Sequence, residues 1–138
     1  MPATIAPAAD VDAAVKRKLK IILADIAVKL NDRLRKRRYE LITRDDPSKI
    51  GLYDIHKKGD GEPIVGYFYA FGYLPAYRQS EQGVERSGFS LAVFLKVEQN
   101  IEQFKVQAYS LLQTEAQAHL FEQQLLGLLS DALTNWNL

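Results

Sequence analysis

Arg33-Leu34-Arg35-Lys36-Arg37-Arg38 is the segment of the sequence best equipped for chemistry. Five cations in so short a run suit phosphate oxygens or an acidic protein surface, because each guanidinium offers a planar, permanently charged fork of donors. The run closes a longer stretch, Lys16 to Arg38, with ten basic residues against two acids, Asp25 and Asp32, in a chain of formal net charge +1. The rest of the molecule is therefore mildly acidic, and the near-neutral total conceals a local positive field. A helix C-terminus attracts cations for about 0.3–1 kcal/mol each, which accounts for one or two of them. Four successive basic residues also point in all directions around a helix and form no stripe. Arg33, Arg35, Lys36, Arg37 and Arg38 are the candidate partner- or phosphate-binding set, facing either nucleic acid or an acidic protein surface.

A second candidate is the segment 75–87, between two strand-like stretches. Read as a loop it is long for a hairpin, whose connections usually span about two to five residues. It holds Tyr77, Arg78 and Arg86, residue types enriched at interfaces. Gly66-Tyr67-Phe68-Tyr69-Ala70-Phe71 alternates aromatics as a base-stacking RNA-recognition strand does. Val65 stands where that module has a basic residue, and its βαββαβ order is absent, so these aromatics read first as core.

The carboxylates suggest turns before catalysis. Asp45-Asp46 precede Pro47-Ser48, and Asp60 and Glu62 flank Gly61, where short acids bond nearby amides. Glu40, Asp54 and Lys57 could in principle serve a metal-dependent nuclease, but their spacing matches no signature for one. His56 lies beside Lys57 and Lys58. His119 has Glu115 and Glu122 one helical turn away, a spacing that suits a surface ion pair better than a metal. The chain has no cysteine and two histidines, and it carries no nucleophile elbow, phosphate loop or dinucleotide fingerprint. No catalytic residue, metal site or cofactor is expected.

These groups need elements to position them. Asp10 or Asp12 can open a helix. Val15, Leu19, Ile22, Ile26, Leu30 and Leu34 then recur in steps of three and four, and Asp25–Lys29 and Asp32–Lys36 are favourable i,i+4 pairs. Alternation predicts strands over 39–44 and 50–57, and Lys58-Gly59-Asp60-Gly61 is a tight turn. A third strand, 63–74, is apolar on both faces and therefore central. A fourth covers 89–97, a turn falls at Gln99-Asn100, and a fifth runs from Phe104 to Ser110. A second amphipathic helix spans 114–136, with Ala118, Phe121, Leu125, Leu128, Leu129, Ala132 and Trp136 on its apolar face.

The fold class is α+β: an N-terminal amphipathic helix, a five-stranded antiparallel meander and a C-terminal amphipathic helix, with both helices packed on one face of the sheet. Residues 1–9 form a Pro/Ala-rich arm and 10–138 a single domain. That leaves the second sheet face partly open, and an apolar patch of about several hundred Å² usually marks a protein interface. The layout is similar in architecture to secretion chaperones and to small subunits of phage tails. It implies an assembly or adaptor protein in an oligomer or larger complex. A nucleic-acid-binding protein using the basic helix end is the alternative, and a metal-dependent nuclease the third. No apolar run is long enough to cross a membrane and no secretory signal is recognisable, so a cytoplasmic protein is expected, or a virion component if viral.

Overall fold

The structure, a computed structural model, describes residues 8–138, with side chains from residue 10. Its elements are α1 (Ala8–Leu34), a 3-10 turn (Arg35–Arg37), β1 (Tyr39–Arg44), β2 (Ile50–Lys57), β3 (Ile64–Ser80), β4 (Gly83–Val97), β5 (Asn100–Ala108) and α2 (Glu115–Asn135). The five strands form one antiparallel sheet in the order β1-β2-β3-β4-β5. Both helices lie on the same face of this sheet, as expected. The arm expected at 1–9 falls outside the described residues up to 7, and the helix already includes 8 and 9.

The apolar periodicity of α1 becomes its buried stripe. Val15, Leu19, Ile22, Ile26, Leu30 and Leu34 are all buried, joined by Leu23 and Ala27. Asp10 falls inside the first turn rather than capping it. The helix tightens and stops at Arg38, whose left-handed backbone (φ 67°) turns the chain into β1 while its N–H donates to the Arg35 carbonyl at 2.9 Å. Thr114 starts α2 through a reciprocal capping box: its hydroxyl accepts from the Gln117 N–H, and the Gln117 side chain accepts from the Thr114 N–H. Phe121, Leu125, Leu129, Ala132 and Leu133 form its buried stripe. Leu128, assigned to that stripe by its period, is 40% exposed.

Two expectations fail in the sheet. The segment 75–87 is not a loop: β3 and β4 continue through it as a hairpin arm, closing at Glu81-Gln82, with Ser80 paired to Gly83. The arm runs past the apolar core, so its residues are mostly exposed and lose the alternation that marks a half-buried strand. Pairing satisfies its backbone, and bulges near Gly72 (φ 67°) and Tyr77 re-aim its side chains. The second correction is a register matter. The β4–β5 turn is Glu98-Gln99, with Val97 opposite Asn100, so β5 begins four residues before Phe104 and ends at Ala108. Glu98 takes a positive φ (55°) that two-residue hairpins require and that glutamate does not advertise.

Register divides the side chains between two faces. Toward the helices point rows such as Leu41–Ile55, Tyr53–Phe68–Leu95 and Val93–Phe104. Toward the opposite side point Ile42–Asp54–Tyr67–Lys96–Ile101, then Arg44–Leu52–Tyr69–Phe94–Gln103, then Phe71–Ala92–Lys105 and Leu74–Ser90–Gln107. No described helix covers these rows.

Candidate interaction face

The uncovered face is built on β3, whose central position gives it aromatic side chains both ways. Phe68 is fully buried in the core, whereas Tyr67, Tyr69 and Phe71 lie half-buried on the open side. They are shielded mainly by one another and by β4: Tyr69 and Phe94 stack with centroids 5.0 Å apart, and Tyr69 and Phe71 tilt together at 5.6 Å. The Lys49 ammonium sits 5.1 Å from the Tyr69 ring centre. Leu52 is 2% exposed beneath these rings, and Ile42, Leu74 and Ile101 stand at the edges with 44, 64 and 56% exposure. The result, on the side away from both helices, is a face with an aromatic centre and with Arg44, Lys96 and Lys105 among its rows.

Asp54 sits within it, only 6% exposed. Its Oδ2 forms an ion pair with the Arg44 Nε at 3.0 Å, while its Oδ1 is buried with no donor among the described residues. Native proteins rarely leave such an atom unanswered, because desolvating it costs about 1–3 kcal/mol. Arg44 itself is roughly half exposed and makes no other ion pair or side-chain hydrogen bond among the described residues. Ile42, Arg44, Leu52 and Phe94 escaped assignment to any site in the sequence, and Asp54 was named only beside Glu40 and Lys57. The available signal was Asp54 itself, an acid between Tyr53 and Ile55 in the interior of β2.

The basic run separates into parts with different jobs. Arg33 is spent internally: its guanidinium donates to the main-chain oxygen of Leu138 at 2.8 and 3.0 Å, to the Ser130 carbonyl at 3.3 Å and to the Thr134 hydroxyl at 3.0 Å. It therefore caps the C-terminal end of α2, which lacks a basic residue of its own in the last turn. Arg35 pairs with Asp32 at 3.2 Å on the surface. Lys36, Arg37 and Arg38 are exposed and make no ion pair or side-chain hydrogen bond among the described residues.

The sheet adds charges beside them. The Lys58 N–H donates to the Arg38 carbonyl at 2.7 Å, and Lys58 pairs with Glu40 and, at 3.9 Å, with Glu62. The Lys58 ammonium holds the Glu40 carboxyl below its ordinary range. Lys57 lies 3.7 Å from Glu98, which also accepts from the Tyr39 hydroxyl. Burial, then that carboxylate, pushes the Tyr39 hydroxyl up to about 12. Glu40, Glu62 and Glu98 thus answer the neighbouring lysines, and Lys36, Arg37 and Arg38 at the corner have no ion pair among the described residues.

In the hairpin arm, Arg86 also turns inward. It pairs with Asp12 of α1 at 2.9 Å, donates to the Tyr77 hydroxyl at 3.2 Å and lies over the Tyr77 ring. The Tyr73 hydroxyl donates to the same Asp12 at 2.9 Å. Burial, then this bond to Asp12, raises the Tyr73 hydroxyl pKa. Arg78 pairs across the hairpin with Glu85 at 2.7 Å. Of the three arm residues singled out in the sequence, Tyr77 at 56% exposure offers the most apolar surface.

The carboxylates are placed as turn and pairing groups. Asp46 accepts from the Ser48 N–H and hydroxyl and from Lys49, bonds that bring its carboxyl down to about 2. Glu40 and Asp54 share the open face, but Lys57 lies opposite Tyr39 on the other, so the three do not converge. Glu122 pairs with Lys29 of α1 at 3.2 Å, tying the two helices together beside His119. Among the described residues, no three histidine, cysteine or acidic side chains gather as a metal site would require, and no helix is long and apolar enough to cross a membrane. The chain matches no protein-family model, no curated protein and no solved structure.

Proposed function

We propose that the chain is a non-enzymatic assembly or adaptor protein, a subunit of an oligomer or larger complex that binds protein through the open face of its sheet. The observation that carries this reading is one face of a five-stranded sheet bearing Tyr67, Tyr69, Phe71, Phe94 and Leu52 with no described helix over it. Water is a poor neighbour for so much aligned apolar surface, and proteins that keep such a face use it for contact. A structural role in assembly, or a chaperone-like one, fits the layout of helix, meander and helix, by analogy of architecture alone with secretion chaperones and phage-tail subunits. Its setting would be the cytoplasm, or the virion if the chain is viral.

The test is the native mass of the protein isolated gently from the cells that make it, compared with a Leu74→Glu/Ile101→Glu variant. Both positions are already exposed, so the folded chain tolerates the change. The unaltered protein should carry a stoichiometric protein partner that the variant loses. Equal masses and equal partners for the two would reject the open face as the binding surface.

A second reading follows from Lys36, Arg37 and Arg38, three exposed cations at one corner with no ion pair among the described residues. They could contact phosphates of a nucleic acid. That binding should weaken steeply with added salt and disappear when the three become Gln. Binding that survives this change would exclude the corner as a nucleic-acid site.

A further inference from the structure

Beyond the protein-binding reading, we propose that the groove between α1, the β1–β2 turn and the middle of β3 binds a small organic phosphate, held by Lys16, Arg17 and Lys20. The groove measures about 680 Å³, within the range of small-ligand sites. Its walls are α1, with those three cations, and the turn from Asp45 to Lys49. Phe71 and Tyr73 of β3 add an aromatic lining.

The charge pattern of α1 points to an anion. Lys16 and Lys20 stand at i,i+4 and Arg17 and Lys20 at i,i+3, so like charges neighbour one another on one flank of the helix, an arrangement that weakens it. No acid on α1 relieves Arg17 or Lys20. Three and four residues from them, apart from the cations themselves, lie Ala13, Ala14, Ile21, Leu23 and Ala24. Lys16 does have Asp12 at that spacing, but the Asp12 carboxylate accepts from Arg86 and from the Tyr73 hydroxyl, each at 2.9 Å. Residues 1–9 contain no acid either. Lys29 and Arg35, by contrast, meet Glu122 and Asp32 at 3.2 Å. Arg17 and Lys20 are exposed and make no ion pair or side-chain hydrogen bond among the described residues.

The rest of the groove limits what the anion can be. Lys16 lies 5.2 Å from the Tyr73 ring centre and Lys49 lies 5.1 Å from that of Tyr69, so both ammonium groups are held in place before a ligand arrives. Asp46 accepts from Ser48 and from Lys49 at 3.3 Å. The lining thus sets four cations against two acids, Asp45 and Asp46, an excess of two positive charges. A phosphate ester near neutral pH carries about two negative charges and matches that excess. The Arg17 fork suits its oxygens in pairs. A nucleic-acid backbone fits less well, because the two acids of the turn repel a chain of phosphates running across it. Phe71 and Tyr73 suit the apolar part of an organic ester.

Phenyl phosphate, which carries both the charge and a ring, is the probe. Titrated into the full ¹⁵N-labelled chain in about 0.1 M NaCl, it should shift amides of 13–20, 45–49 and 71–73 and saturate with a dissociation constant below about 1 mM. Arg17→Gln/Lys20→Gln, at two exposed positions, should raise that constant at least ~10-fold. Lys36→Gln/Arg37→Gln/Arg38→Gln removes more charge from the corner and should change it less than ~2-fold. Inorganic phosphate should bind at least ~3-fold more weakly than the ester, and equal binding would overturn the part given to Phe71 and Tyr73. No saturation by about 10 mM, shifts centred on the corner, or equal losses in the two sets of variants would each overturn the site.

Discussion

Replacing Arg33 by Ala should destabilise the fold, whereas replacing Arg37 by Gln should not, although the two lie four residues apart in one basic run. The Arg33 guanidinium makes four hydrogen bonds, to Leu138, Ser130 and Thr134, all at the C-terminal end of α2. Charge-assisted bonds are worth about 1.5–3 kcal/mol when buried. Partial exposure reduces this, and the dipole of α2 adds about 0.3–1 kcal/mol. Because the bonds share one side chain and do not add, the expected loss for Arg33→Ala is about 2 kcal/mol, or roughly 6–8 °C in melting temperature for a chain of this size. Arg33→Lys keeps the charge but not the fork and should recover less than about half of it. Arg37, with no partner, should fall within about 0.5 kcal/mol of the unaltered protein. Thermal and urea unfolding measure the losses, and hydrogen exchange of amides 130–138 places the effect on α2. An Arg33→Ala loss below about 0.5 kcal/mol, or equal losses for Arg33→Ala and Arg37→Gln, would refute this partition of the run.

Other perturbations probe the elements around the face. At Gly88 an added Cβ would sit 1.9 Å from the Ala108 carbonyl oxygen, backbone against backbone, so Gly88→Ala should cost at least about 1–3 kcal/mol, seen as a lower urea midpoint. Gly127 in mid-α2 has open space around its Cα, and Gly127→Ala should raise the same midpoint by about 0.5–1 kcal/mol. Asp12→Ala leaves the largely buried Arg86 charge and the Tyr73 hydroxyl without their acceptor, and hydrogen exchange should show the 73–90 arm losing protection before the rest of the sheet. Tyr39 binds its proton more tightly folded than unfolded, with its pKa raised from 10.0 to about 12. Its contribution to stability is therefore complete below pH 10 and lost as the pH rises toward 12. Tyr39→Phe should flatten that alkaline decline in melting temperature, and an unchanged decline would reject the assignment.

The elements with a periodic signal were legible in the sequence. The α1 stripe from Val15 to Leu34 and the order helix, meander, helix follow from side-chain spacing, because burial of one face imposes that spacing directly. The arm was illegible for the converse reason. Residues 75–87 pair along both strands but lie beyond the core, so no burial imprints alternation, and Pro75 and Gly83 look like loop punctuation. The β4–β5 turn was misplaced by one residue because Glu98, not an asparagine or glycine, takes the positive φ. Of the basic residues, composition could show the excess but not that Arg33 reaches across about a hundred positions of sequence to α2. Asp54 was visible as an acid between Tyr53 and Ile55. Which face it occupied depended on pairing with Ile42 and Tyr67, which no local pattern encodes.

The two faces of the sheet follow opposite rules, and the contrast bears on function. On the helix side the centre of the sheet is filled by aliphatic and aromatic side chains, and the Tyr39 and Tyr73 hydroxyls at its margin each have an acceptor. The open side holds equally apolar material, Leu52, Tyr69 and Phe94, together with the one buried side-chain oxygen among the described residues that has no donor. Selection for stability alone would favour an apolar residue at position 54, since replacing a buried pair with hydrophobic groups is often neutral or stabilising by about 1–4 kcal/mol. Keeping Arg44 and Asp54 amid aromatics therefore has its natural explanation in specificity. An apolar sheet face with no charges could associate in many registers, whereas a charged pair needing a counterpart admits one.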